Sequence, residues 1–294
     1  MFLIGALKTF VQRFLAFFLL LCGSAFEAAA QLNVDIEFSR RQFIPHESIP
    51  MSVRLTNRAG AELLLHGDNR RSWLNVLVQD QQGNPVAPYR PMSFQAAKIP
   101  VGRSVAKQLD LNNLFPLHSY GKYTVSTIIT LPTGESFQSA RKTIDLTRGR
   151  VIYEQRVGLG GKARDYRLIT FTPARTSMLY FQAELVDERR VVMTYPLGEH
   201  LRHMHPEGTV DRQGRLNVLY LAAPDRYVHI LIDSRGQVAD RTIYKQGQTG
   251  KPRLVAFDNG EIQVAGGIEF DPEAQQAQRD RIRKISERPA VLFD

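Results

Sequence analysis

The sequence predicts an all-β protein, with two β-rich regions in series followed by a short C-terminal helix. Three observations predict it. Apolar and polar residues alternate with a period of two over much of residues 32–147. A repeating strand-and-turn texture fills residues 149–270. Only the stretch from Asp271 onward carries clear helix-start signals.

The first thirty residues set the compartment. Lys8 and Arg13 form a basic start, Phe14 to Cys22 is an unbroken apolar run, and Ala28-Ala29-Ala30 is a small-residue exit. That order is expected of a secretory signal peptide cleaved between Ala30 and Gln31. A retained anchor is the first alternative, but a spanning helix needs about 20 apolar residues and this run stops at Phe26, before Glu27. A lipoprotein is the second, since Leu19-Leu20-Leu21-Cys22-Gly23 resembles a bacterial lipobox, yet Leu21 stands where that pattern wants a small residue. Cleavage after Ala30 is favoured, and with it a periplasmic or extracellular location. Cys22 is the chain's one cysteine, so the expected mature chain of 264 residues carries no thiol and no disulfide.

Hydrophobic content of 43% is ordinary for a globular protein, and no second segment is long enough to cross a bilayer. The formal charge of +9 falls to +8 once Lys8, Arg13 and Glu27 are removed. Such an excess suits acidic glycans, nucleic acid or an anionic membrane surface. The basic residues are scattered as pairs (Arg40-Arg41, Arg70-Arg71, Arg189-Arg190) and match no nucleic-acid motif, so a solubilising surface is the simpler reading. The length suits two domains, expected at 31–147 and 148–271, with a helical tail over 272–294.

In the first region Val34, Ile36 and Phe38 alternate with polar neighbours, as do Ile49, Met51, Val53 and Leu55. Ser72 to Val78 ends at the turn-rich Asp80-Gln81-Gln82-Gly83, and Val105 to Leu109, then Tyr123 to Leu131, continue the series. Thr133-Gly134-Glu135 reads as a hairpin connection into Ser136 to Ile144. About seven short strands at this spacing are the pattern of an antiparallel sandwich. Gly121-Lys122-Tyr123-Thr124-Val125 resembles the penultimate strand of immunoglobulin-like modules. Phe43-Ile44-Pro45-His46-Glu47-Ser48-Ile49, followed by Leu55-Thr56-Asn57, resembles the first two strands of bacterial Ig-like modules. That resemblance covers about 115 residues and implies an Ig-like sandwich, in which Tyr123 tucks its hydroxyl back toward the preceding connection. His46 stands where such modules usually place glycine. Trp73 reads as a core aromatic rather than a sugar platform, because Leu74, Val76 and Val78 follow it.

In the second region three turns share an aspartate shortly before a glycine and an aliphatic residue two places after it. They are Asp211 to Leu216, Asp233 to Val238 and Asp258 to Ile262, with glycines 22 and 24 residues apart. Aspartate is expected to bond the turn backbone while glycine supplies positive φ. Strands are expected at Tyr166–Phe171, Met178–Val186, Val191–Tyr195, Leu216–Leu221, Tyr227–Ile232, Val238–Tyr244 and Arg253–Phe257. This β-meander resembles β-propeller sequence. At about 40–50 residues per blade it supplies under three blades, and a ring needs at least about four. Either the sheets stay open or several chains close them. A monomer is expected, with the sandwich or the tail helix covering the edges. Asp271-Pro272-Glu273 begins that tail helix, which is basic and thinly apolar.

The sharpest polar cluster is His200-Leu201-Arg202-His203-Met204-His205, followed by Glu207. His200, His203 and His205 are candidate binding residues. On an extended chain His203 and His205 point the same way, and with Glu207 they form a candidate site for zinc or another transition metal. No His-Glu-x-x-His is present, and Gly198 and Pro206 break regular structure at both ends. Gly158 to Lys162 lacks the full phosphate-loop spacing and reads as an inter-strand loop. No Gly-x-Ser-x-Gly occurs and no carboxylate pair stands out, so no catalytic residue is assigned. The leading expectation is a non-catalytic exported binding or scaffold protein with a protein or glycan partner outside the cytoplasm, no nucleic acid and no bound cofactor. Two alternatives are an exported carbohydrate-active or metal-dependent hydrolase with a site near His200–Glu207, and a self-assembling envelope protein.

Overall fold

Alternation of residue type in the first half becomes alternation of burial. The computed structural model describes residues 32–67, 72–158, 163–173, 175–248 and 250–271, together with 277, 280 and 281. The expected signal peptide at 1–30, Gly160-Gly161-Lys162 and all but three residues of the 272–294 tail lie outside the described residues. The chain is all-β. One short helix is complete among its described residues, Ala277, Asp280 and Arg281 of the tail are also helical, and no helix among the described residues is long and apolar enough to cross a membrane.

The first strands are β1 (Leu32–Phe38), β2 (Gln42–Phe43), β3 (Pro50–Asn57), β4 (Leu63–Leu65), β5 (Leu74–Gln79), β6 (Ala97–Ile99), β7 (Ser104–Asp110), β8 (Gly121–Thr130), β9 (Ser136–Gln138) and β10 (Lys142–Leu146). One sheet has the order β1-β3-β7 and another the order β2-β10-β8-β5 with β9 on β8, while β4 and β6 pair by themselves. Register places Val34 opposite Leu55 and Ile36 opposite Val53, all four buried. It places Val76 opposite Thr127 and Val78 opposite Val125. Each fully buried Val, Leu or Ile is worth about 1.5–3 kcal/mol relative to exposure, so a one-residue slip would turn this set outward at large cost. The pair β2–β10 is parallel, with Phe43 beside Leu146. Trp73 is 2% exposed. Its ring nitrogen donates to the carbonyls of Phe94 and Gln95 at 3.3 and 3.1 Å, and its ring meets Phe94 edge-on. A sugar platform is thereby excluded at this residue. Helix α1 (Leu111–Leu114) is one turn capped by Asp110, whose carboxylate accepts from the Asn112 amide at 3.0 Å.

The described chain divides into two compact units that are discontinuous in sequence. The first takes 32–39, Pro50–Pro116 and Tyr123–Thr143, and the second takes Arg40–Ile49, Leu117–Lys122 and the chain from Ile144 onward.

The second unit adds β11 (Arg150–Val157), β12 (Arg164–Phe171), β13 (Met178–Leu185), β14 (Arg190–Glu199), β15 (Glu207–Val210), β16 (Leu216–Ala223), β17 (Arg226–Ile232), β18 (Val238–Gln246), β19 (Arg253–Ala256), β20 (Ile262–Ala265) and β21 (Gly267–Glu269). They form antiparallel sheets ordered β11-β12-β13-β14, β15-β16-β17-β18-β21 and β19-β20. Tyr166, Leu168 and Phe181 of the first sheet share a core with Val218, Tyr220 and Ile230 of the second. The opposite face of that second sheet carries Leu219, Leu221 and Tyr227 against Leu254 and Val264 of the β19–β20 pair. Strand β16 is therefore buried on both faces, which is why its sequence is a near-continuous apolar run.

Two of the three repeated turns behave as expected. Asp211 accepts from the Gln213 and Arg215 amides, both at 2.9 Å, and Asp233 accepts from Arg235 and Gln237 at 2.9 and 2.8 Å. Their glycines, Gly214 and Gly236, have φ of 74° and 87°. The third turn departs from expectation. There Asn259, not Asp258, accepts from the Glu261 amide, because Phe257 occupies the place that Asp211 and Asp233 hold in turns of the same length, which puts Asp258 one position too late.

Candidate anion-binding site

The sequence pointed to the connection between β14 and β15, and the structure rearranges what was expected of it. Residues 200–206 are not extended. Arg202 to Met204 form a turn closed by the Met204 amide donating to the Leu201 carbonyl at 3.3 Å. The two-residue alternation that would align His203 with His205 is absent, and both rings are exposed. The Glu207 carboxylate accepts from the Leu254 amide at 3.2 Å. Among the described residues no group of three His, Cys, Asp or Glu side chains is placed to hold a metal ion, and the His203–His205–Glu207 zinc geometry is not formed.

His200 behaves differently from its neighbours. It is 7% exposed, and its Nε2 lies 2.8 Å from the Ser177 hydroxyl. Its Nδ1 is buried without a hydrogen-bond partner of good geometry among the described residues. Burial pushes its pKa below the ordinary histidine value. The pair is set by strand register, since the His200 amide also donates to the Ser177 carbonyl at 2.9 Å where β13 and β14 meet.

His200 and Ser177 line a cavity of about 420 Å³ whose character is set by Arg148, Arg150 and Arg202. Arg148 and Arg150 precede and open β11, separated by Gly149. A Cβ on Gly149 would overlap Ile169 Cγ2 of β12, so a larger residue here would have to displace that buried side chain. Among the described residues none of the three arginines is in an ion pair. No Asp or Glu is among the described residues that line this cavity.

A second cavity, of about 550 Å³, shares Arg148 and Arg150 and adds His46, His118 and Tyr120. The Arg148 guanidinium lies over the Tyr120 ring, 5.2 Å from its centroid, and Tyr120 is 53% exposed. His46 and His118 stack at 4.4 Å between ring centroids. His46 has φ of 68°, in the left-handed region that favours glycine. Burial, with a smaller contribution from His118, lowers the His46 pKa to about 4, so its ring is neutral at neutral pH.

Two other arginines of this unit are fully engaged. Arg40 donates to Glu47 and, at 2.7 Å, to the Tyr180 hydroxyl, while Arg167 binds Glu154 and Glu184. Sequence reading missed the cleft because Arg148-Gly149-Arg150 looks like a linker and Arg202 is overshadowed by its histidine neighbours. The available signal was a glycine between two arginines at the start of a strand.

No family model matches the chain, and no curated protein matches it. Among solved structures, a sporulation control protein of Bacillus subtilis, Spo0M, aligns over 88% of this chain and 97% of its own at 10% identity, with a TM-score of 0.29. A superposition at that score carries no argument about fold or function.

Proposed function

We propose that this chain is an exported, non-catalytic binding protein of the periplasm or cell surface that holds an anionic ligand in the cleft of its second unit. One observation carries the binding reading: Arg148, Arg150 and Arg202, unpaired among the described residues, line one cavity with no described carboxylate. Guanidinium groups form bidentate bonds with carboxylate, sulfate or phosphate oxygens, and a concave wall strengthens each by excluding water. Export rests on the order of residues 8–30. An Ig-like reading of the first strands is supported by the order β1-β3-β7, by β2-β10-β8-β5 and by the parallel β2–β10 pair. The four-stranded meander β11–β14 supports a blade-like reading of the second unit. The β19–β20 cover over β16 and β17 supports a monomer.

Calorimetric titration with a monomeric sugar acid such as galacturonate tests the binding reading. Saturable, salt-weakened binding that is lost in an Arg150→Ala, Arg202→Ala double variant is expected. Binding unchanged in that variant, or absent for the monomer and its oligomers alike, removes the reading. Intact mass of protein from the native envelope tests export, and a mature chain beginning at Gln31 is expected.

The Ser177–His200 pair favours a second reading, an exported hydrolase with serine as nucleophile and histidine as base. Among the described residues no carboxylate orients His200, which is why binding ranks first. Turnover of an aryl ester that disappears in Ser177→Ala would reverse the order.

A further inference from the structure

The two cavities flank the same pair of arginines, so a ligand held at Arg148 and Arg150 faces open space on both sides. The first cavity offers Arg202 and hydroxyl groups of Thr170 and Thr172. The second offers an exposed aromatic ring, Tyr120, and a stacked pair of imidazoles, and the one carboxylate on its wall, Glu184, is neutralised by Arg167. A single small anion would use one side and leave the other empty. We infer that the natural ligand is an acidic polysaccharide, a chain of carboxylate-bearing sugars laid across both cavities with Arg148 and Arg150 at its middle. This rests on the anion-binding reading above and adds the polymer, the direction of the groove and the role of Tyr120.

Four features select a sugar chain over other polyanions. The charged groups are arginines, whose planar forks match carboxylates bidentately. Tyr120 presents one exposed ring face, which suits the apolar face of a pyranose, and the Arg148 guanidinium over that ring brings charge and stacking surface together. His46 and His118 add a stacked pair of flat rings to the wall of the same cavity. His46 holds its place at φ 68° although glycine would be easier there, and such strain is commonly kept where a side chain has work to do. A lipid surface would need an exposed convex face and a nucleic acid a row of stacking rings, whereas this groove is concave and Tyr120 is the one tyrosine, phenylalanine or tryptophan among the described residues that line its second cavity.

The test is calorimetric titration of the purified protein with galacturonate and its α-1,4-linked oligomers of rising length, at low and moderate salt. Affinity is expected to rise at least about tenfold from monomer to hexamer, since added subsites contribute once the first is filled. Tyr120→Ala should remove about tenfold of the hexamer affinity and leave the monomer unchanged, because the ring it deletes stacks on a sugar beyond the arginine subsite. Fully methyl-esterified hexamer should bind poorly. Monomer bound with Arg150 dependence, but no gain with length or no effect of Tyr120→Ala, overturns the polysaccharide and leaves the anion site standing. No binding of the monomer, with Arg150→Ala without effect on any oligomer, overturns both. Tighter binding to a single-stranded oligonucleotide or to phosphatidylserine vesicles than to the hexamer also overturns the polysaccharide.

Discussion

Arginine does opposite work in two regions of the second unit. At the 40–49 segment Arg40 is tied down: it meets Glu47, which is 1% exposed, and the Tyr180 hydroxyl. Glu47 also accepts from the Ile44 amide at 2.7 Å, and Ile44 packs with Ile169, Phe171 and Tyr180. Among the described residues Arg148, Arg150 and Arg202 are in no ion pair, and the three line a cavity that holds no described carboxylate. The contrast teaches that charge alone does not mark a site. A guanidinium whose donors are consumed by the fold is structural, and one whose donors face a cavity is free for a ligand.

The largest effect should separate these regions by stability. Arg40→Ala leaves Glu47 buried without its counter-charge and is expected to cost ~3–5 kcal/mol. Arg150→Ala, at a site with no internal partner to lose, should stay within about 0.5 kcal/mol. Urea unfolding of both variants checks this, and comparable losses would erase the distinction. Burial pushes the Glu47 carboxyl above its ordinary pKa despite Arg40, so replacing both partners by Arg40→Met and Glu47→Leu should cost less than Arg40→Ala alone.

Trp73→Ala is expected to cost ~3–5 kcal/mol, because the ring is buried and its nitrogen is bonded. The native fluorescence maximum should be that of a buried indole, and an exposed-type spectrum would contradict the packing.

A smaller effect lies in the repeated turns. Asp233→Ala should cost about 1 kcal/mol by freeing two backbone amides, whereas Asp258→Ala should change little because Asn259 holds that turn. Equal losses at the two aspartates would restore the reading in which all three turns are alike.

These cases show where the sequence was legible. Period-two burial in β1, β3 and β5 could be read directly, since each strand buries one face. Strands β11 and β15 could not, because both lie at sheet edges and neither has an alternating buried face. The Ser136 to Ile144 segment reads as one strand but is two, β9 and β10, with buried Ser139 between them accepting from the Thr127 amide. The histidine cluster drew attention by composition, yet its turn separates the residues that alternation would have aligned. The cleft itself unites segments near 46, 120, 150 and 202, and no local pattern announces such an assembly.

A last effect concerns pH. The folded His46 pKa of about 4 lies below the unfolded value of 6.5, so the unfolded chain takes up this proton first. Its contribution to stability is present above about pH 6.5 and is lost as pH falls toward about 4. His200 and His229, also lowered by burial, act in the same direction. The urea midpoint should fall between pH 7 and pH 5, and His46→Gly should flatten part of that fall without strain at its positive φ. An unchanged slope in His46→Gly would place the effect elsewhere.

The central claim is that the three unpaired arginines, and not the paired ones, meet the ligand. Arginine side-chain Nε–Hε resonances, followed by NMR during titration with galacturonate, test it most directly. Arg148, Arg150 and Arg202 should shift together and saturate while Arg40 and Arg167 stay in place. Shifts absent from those three, or spread across all arginines in proportion to added salt, would contradict it.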